Sequence, residues 1–211
     1  MPTPHIFHSV PDLVEQLRSP RTIAVARAFF AAESASIQDV VTQGVGGNKF
    51  RAFRNLPVRP SVAFREWTAA HIQESLNQIR EIQTPQAYST YVHDTSLAFC
   101  NYWQRATNSE IGYGRAAKLL NLVLKKLACL RLLSPKERQG LIELQHVPLD
   151  SYTIVGLRNI APELAIPKTA TMRHIQTPQQ YSQYQQRISL LAAHAGVPAI
   201  YYDILAWDIA H

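Results

Sequence analysis

From Ala116 to Leu133 the chain contains neither glycine nor proline, and nine of these positions are leucine or valine. Leucine, alanine and lysine are strong helix formers, so the stretch reads as one helix. Its apolar residues (Leu119, Leu120, Leu122, Val123, Leu124, Leu127, Leu130, Leu132 and Leu133) lie nearly all round it. A helix of that kind is buried in the middle of a domain. Lys125 and Lys126 interrupt it, and it is too short to span a bilayer. Other elements must therefore wrap this helix.

The flanks of the helix carry candidate chemistry. Ile111-Gly112-Tyr113-Gly114 precedes it, and two glycines one apart predict a tight turn. Lys118 falls on the predicted first helical turn and shares a face with Asn121, Leu122 and Lys125. An amine in such a place is stripped of water at the positive end of the helix dipole, which favours its neutral, nucleophilic form. Downstream, Val147-Pro148-Leu149-Asp150 leads into Ser151-Tyr152. Asp150 is positioned to cap a helix over 151–159, where its charge is favoured. Taken singly, Lys118 reads as readily as a surface lysine and Asp150 as a structural cap.

Taken together these segments resemble the helix–hairpin–helix DNA glycosylases, and most closely their archaeal 8-oxoguanine branch. In that superfamily a glycine hairpin leads into a helix bearing the catalytic lysine, and a Val/Ile-Pro-apolar-Asp segment supplies an aspartate. Gly112-Tyr113-Gly114, Lys118 and Val147-Pro148-Leu149-Asp150 stand in those places. A third match is Gly196-Val197-Pro198 followed by Asp203 and, four residues on, Trp207. In the archaeal branch the corresponding pair contacts the extruded base. The resemblance covers residues 110–211. It implies Lys118 and Asp150 as catalytic residues, Asp203, Trp207 and Leu122 as the base pocket, and Gly112, Gly114 and Arg115 as DNA contacts. It implies no cofactor. Leu122 stands where the branch tends to have an aromatic ring that stacks on the base.

Composition agrees with an anionic partner. The chain of 211 residues has a formal net charge of +6 and a pI near 9.5, which favours nucleic acid. Lys49, Arg51, Arg54 and Arg59 cluster around Phe50 and Phe53 beside Gly44-Val45-Gly46-Gly47. They read as a grip on the DNA backbone, or as a solvated linker. The glycine run lacks the Gly-Lys-Ser/Thr ending of a phosphate loop. Cys100 and Cys129 read as buried free thiols. The eight histidines show no metal-ligand spacing, and two cysteines are too few for an iron–sulfur cluster. With no apolar leader and no long apolar run, the expectation is a cytoplasmic, monomeric protein that avoids membranes.

Helices are further predicted over 12–18, 21–32, 36–43, 61–82, 85–106, 178–195 and 199–210, with a short one opening at Ser134-Pro135. No segment alternates as a strand does. The predicted fold is all-α: two helical subdomains, a helix–hairpin–helix element between them and the active site in their cleft. Residues 1–59 form an N-terminal helical segment and 60–211 the glycosylase-like core, together one compact unit. One motif stands apart from this scheme. Ile82-Gln83-Thr84-Pro85-Gln86-Ala87-Tyr88-Ser89-Thr90-Tyr91 recurs as Ile175-Gln176-Thr177-Pro178-Gln179-Gln180-Tyr181-Ser182-Gln183-Tyr184. It reads as one helix start used twice, Thr capping and Pro in the first turn.

The predicted activity is excision of a damaged or modified base from duplex DNA, an 8-oxoguanine-like purine first, with a lyase step available through a Schiff base. An antiviral defence glycosylase removing an enlarged modified pyrimidine from phage DNA is the second reading. A non-catalytic helical DNA-binding module is the third.

Overall fold

The computed structural model of the chain describes residues 6–47, 50, 53 and 56–209, with side chains to Trp207. Lys49, Arg51 and Arg54 lie outside the described residues. The fold is all-α, 71% helical. Among the described residues the β-type pairing is a single parallel bridge between Ser34 and Leu130.

Capping chemistry sets most helix starts. Helix α1 (Val10–Arg18) opens on Ser9 and α2 (Pro20–Ala31) on Ser19, whose hydroxyls accept from Asp12 N and Thr22 N. A Ser36/Asp39 capping box opens α3 (Ile37–Gly44), and Arg59 precedes α4 (Pro60–Glu81). Thr84 caps α5 (Pro85–Thr107), and Gly112 precedes α6 (Tyr113–Leu127). A Ser134/Glu137 box opens α7 (Pro135–Leu144), and Asp150 caps α8 (Ser151–Gly156). Short 3₁₀ turns follow at Pro162–Leu164 and Met172–His174. Thr177 caps α9 (Pro178–Ala195), which ends on Gly196 at φ 65°. The last element, α10 (Tyr201–Asp203), continues as a π-helix over Ile204–Ile209.

Helix α6 is the axis. Every one of its residues except Arg115 and Leu122 is buried, and it packs against α3 and α5. The N-terminal segment belongs to the same core: Phe7, Leu13, Leu17, Val40 and Val41 cluster with Trp103, Leu120, Val123 and Tyr202. Gly44 lets α3 cross α6 closely, since a Cβ there would stand 2.9 Å from the Leu122 carbonyl oxygen and 3.0 Å from Val123 Cα.

Three boundaries differ from expectation. Helix α6 begins at Tyr113, inside the predicted turn, which places Lys118 on its second turn. It stops at Leu127, not Leu133, because the following backbone leaves the helix to pair with Ser34. Ser34 N donates to the Cys129 carbonyl and Arg131 N to the Ser34 carbonyl, each at 2.9 Å. Helix α8 stops at Gly156 rather than Asn159, and a series of turn hydrogen bonds from Leu157 to Ala161 takes over. No helix among the described residues is long and apolar enough to cross a membrane.

Candidate functional site

No side chain caps the start of α6. Gly112 sits at φ 77° and ψ 144°, a conformation that glycine adopts without strain. The first turn lines a hollow of about 380 Å³ with Arg115, Met172 and Arg173. Uncapped N–H groups, the helix dipole and two guanidinium groups suit an anion, with the Glu110 carboxylate at the same hollow opposing it. Partial burial and then the neighbouring Arg173 charge hold the Arg115 group below its usual range, so a bound anion would relieve a like-charge contact. Gly114 departs from its expected role. It is buried, and a Cβ there would stand 2.4 Å from the carbonyl oxygens of both Met172 and Ile175. Its glycine serves close packing of the 3₁₀ turn onto α6, leaving Gly112 as the exposed glycine of the pair.

One helical turn deeper, Lys118 Nζ lies 3.3 Å from Asp150 Oδ2, with the two side chains 5% and 4% exposed. The capping geometry of α8 orients the carboxylate. Asp150 Oδ1 accepts from Tyr152 N at 2.8 Å and Thr153 N at 3.2 Å. Thr153 returns the contact, its Oγ1 accepting from Asp150 N at 2.8 Å, and Tyr202 donates to the Thr153 carbonyl at 2.8 Å. One carboxylate oxygen is thus occupied by backbone while Oδ2 faces the amine. That same Oδ2 accepts from the indole Nε1 of Trp207 at 2.5 Å.

A second buried pair runs parallel to the first. Lys125, seven residues along the same helix, reaches Asp203 Oδ2 at 2.8 Å, and its ammonium lies 4.3 Å from the Phe29 ring centroid. A cation held by both a carboxylate and an aromatic face is a favourable arrangement. Asp203, Lys125 and Trp207 line a cavity of about 270 Å³ with Phe29, Gln43 and Leu122. That falls just under the ~300–1,000 Å³ typical of small-ligand sites.

The structure therefore brings Lys118, Asp150 and Trp207 together, and gathers Leu122, Asp203 and Trp207 around one cavity. Asp203 and Trp207 do not act as a matched pair on one α-helical face. The π-helix that begins at Ile204 widens the turn, so Asp203 meets α6 at Lys125 while Trp207 meets Asp150 and lies 4.7 Å, ring to ring, from Tyr152. Sequence reasoning missed Phe29 and Gln43, which only tertiary packing delivers to the cavity. Lys125 could have been found from its seven-residue spacing from Lys118, and Arg173 from the basic stretch after Pro167. Compared with protein-family models, curated proteins and solved structures, the chain has no match.

Proposed function

We propose that the chain is a DNA N-glycosylase that extrudes a modified base and cleaves its bond to the sugar through Lys118. The observation that carries this reading is the water-excluded Lys118–Asp150 pair, tied through the Trp207 indole to a cavity of about 270 Å³. Isolated buried ion pairs add little stability, so an amine and carboxylate kept together there support a chemical role. The uncapped α6 N-terminus with Arg115 and Arg173 supplies a phosphate anchor on the same helix, as extrusion of a nucleotide requires.

In this mechanism Asp150 Oδ2 takes a proton from Lys118, and the freed Nζ lone pair attacks C1′ of the sugar. The glycosidic bond breaks as the new C–N bond forms, and its electron pair leaves with the base, which is then protonated. Loss of the amine proton and ring opening give a Schiff base, from which β-elimination can cut the strand. Trp207 steadies Asp150 Oδ2, and the Lys125–Asp203 pair offers a donor and an acceptor to the base edge. An oxidised purine is the first substrate class. The cavity wall formed by Leu122, without an aromatic ring at that position, favours an enlarged pyrimidine of phage DNA as the second.

Borohydride trapping tests the proposal. Duplexes carrying 8-oxoguanine, an enlarged cytosine or an abasic site should yield a covalent complex with the protein. Lys118→Gln should abolish it, and Asp150→Asn should reduce it by about 10²-fold or more. Base release without trapping would indicate water as the nucleophile. Duplex binding with neither outcome would favour a DNA-binding module.

A further inference from the structure

The duplicated segment remains outside this mechanism, and the structure gives it a shared location. Its two copies open α5 and α9 and form the two walls of a cleft of about 920 Å³, the roomiest of the hollows described. Gln86, Ser89 and Thr90 line one wall; Gln179, Ser182 and Gln186 line the other. Lysine, arginine, aspartate and glutamate are all missing from the lining, although the chain as a whole is basic. A phosphate or carboxylate would find no lysine or arginine there, and a cation no carboxylate. Carboxamides and hydroxyls both donate and accept, which matches ligand groups that do the same.

The floor of the cleft is preorganised by a hydrogen-bond chain. Asn121 Nδ2 on α6 donates to the Tyr181 hydroxyl at 2.8 Å and to the Ala117 carbonyl at 2.7 Å. The Tyr181 hydroxyl also lies 3.0 Å from His146 Nδ1. The other ring nitrogen, Nε2, lies 3.1 Å from Ser89 Oγ. Burial holds His146 down at about 4, so the ring is neutral. The chain ends on the Ser89 hydroxyl, which stands at the cleft wall. Gln185 is locked beside it by a two-way bond with the Val147 backbone, at 2.9 and 2.8 Å. A floor so fixed can recognise a ligand without being reordered.

We propose that this cleft is a second binding site, for a neutral hydroxylated ring: a sugar, either free or carried on a nucleoside. The inference stands apart from the glycosylase reading. Its size fits, since sites for ligands of this kind run to ~300–1,000 Å³.

Saturation-transfer NMR on the full chain tests it, with maltose and 2′-deoxycytidine as probes, cytosine as a control and inorganic phosphate as a competitor. Transfer to the sugar protons of at least one probe is expected. Maltose alone would identify a free saccharide, and deoxycytidine alone a nucleoside. Ser182→Trp and Gln86→Trp, exposed and on opposite walls, should each cut the transfer at least tenfold with thermal unfolding unchanged. Ser89→Ala should weaken binding by about 5- to 10-fold, the worth of one neutral hydrogen bond. Absence of transfer to either sugar probe at millimolar concentration would overturn the proposal. So would transfer that survives both tryptophan substitutions, transfer confined to cytosine, or loss of the transfer when inorganic phosphate is added.

Discussion

Trp207 touches both halves of the candidate site, lining the cavity while donating to the Asp150 oxygen that faces Lys118. Trp207→Phe keeps the ring and removes the donor. It should lower the Schiff-base yield by about 10- to 100-fold, the usual cost of losing a group that orients a reactive one. Trapping on an abasic duplex, which needs no base recognition, isolates that effect. His146 supports a different prediction. Its ordinary value near 6.5 falls to about 4 in the fold, so the unfolded chain binds more protons between those limits. Its contribution to stability is complete above about pH 6.5 and is lost as pH falls towards 4. Between pH 7 and pH 5 this one group should remove about 2 kcal/mol from the unfolding free energy. Denaturant titrations at the two pH values would show it, and His146→Asn should flatten the difference.

At the scale of elements, Gly114 and Gly44, the two glycines at close backbone contacts of α6, are the sharpest test of how that helix is held. Gly114→Ala places a methyl group against two carbonyl oxygens at 2.4 Å. It should destabilise the protein by about 1–3 kcal/mol or more, as overpacking does. Gly44→Ala meets backbone at 2.9 Å and should cost somewhat less. Gly140, which has open space around it, is the control. The contrast also shows what the sequence can and cannot reveal. The helix starts at Ser36 and Ser134-Pro135 and the Thr-Pro starts of α5 and α9 are local chemistry, and they were legible. So was the order of Lys118, Asp150 and Asp203 along the chain, and the structure places the first two in contact. The end of α6 was not legible, because Leu130, Leu132 and Leu133 continue the apolar pattern while Ser34, about a hundred residues earlier, captures the backbone. The same holds for Phe29, whose place under Lys125 depends on how α2 packs against the π-helix. Gly114 looked like part of an exposed hairpin because close packing and exposure require the same residue.

For the whole molecule, charge and neutrality are kept on separate surfaces. The α6 N-terminus carries Arg115 and Arg173, while the cleft between α5 and α9 carries no such group. Duplex affinity should therefore fall steeply with salt. Arg173→Ala should reduce the slope of log affinity against log salt by about one, measured by anisotropy at several salt concentrations. Maltose or deoxycytidine binding in the cleft should be indifferent to salt. The two parallel ion pairs on α6 carry a consequence for descent. Losing either partner strands a buried charge at a cost of about 3–5 kcal/mol, whereas replacing both with apolar residues can be neutral. Lys125 and Asp203 should therefore be inherited as a unit: a relative of this chain that has lost one will have lost the other. Lys118 and Asp150 should vanish together only in lineages that have given up the reaction.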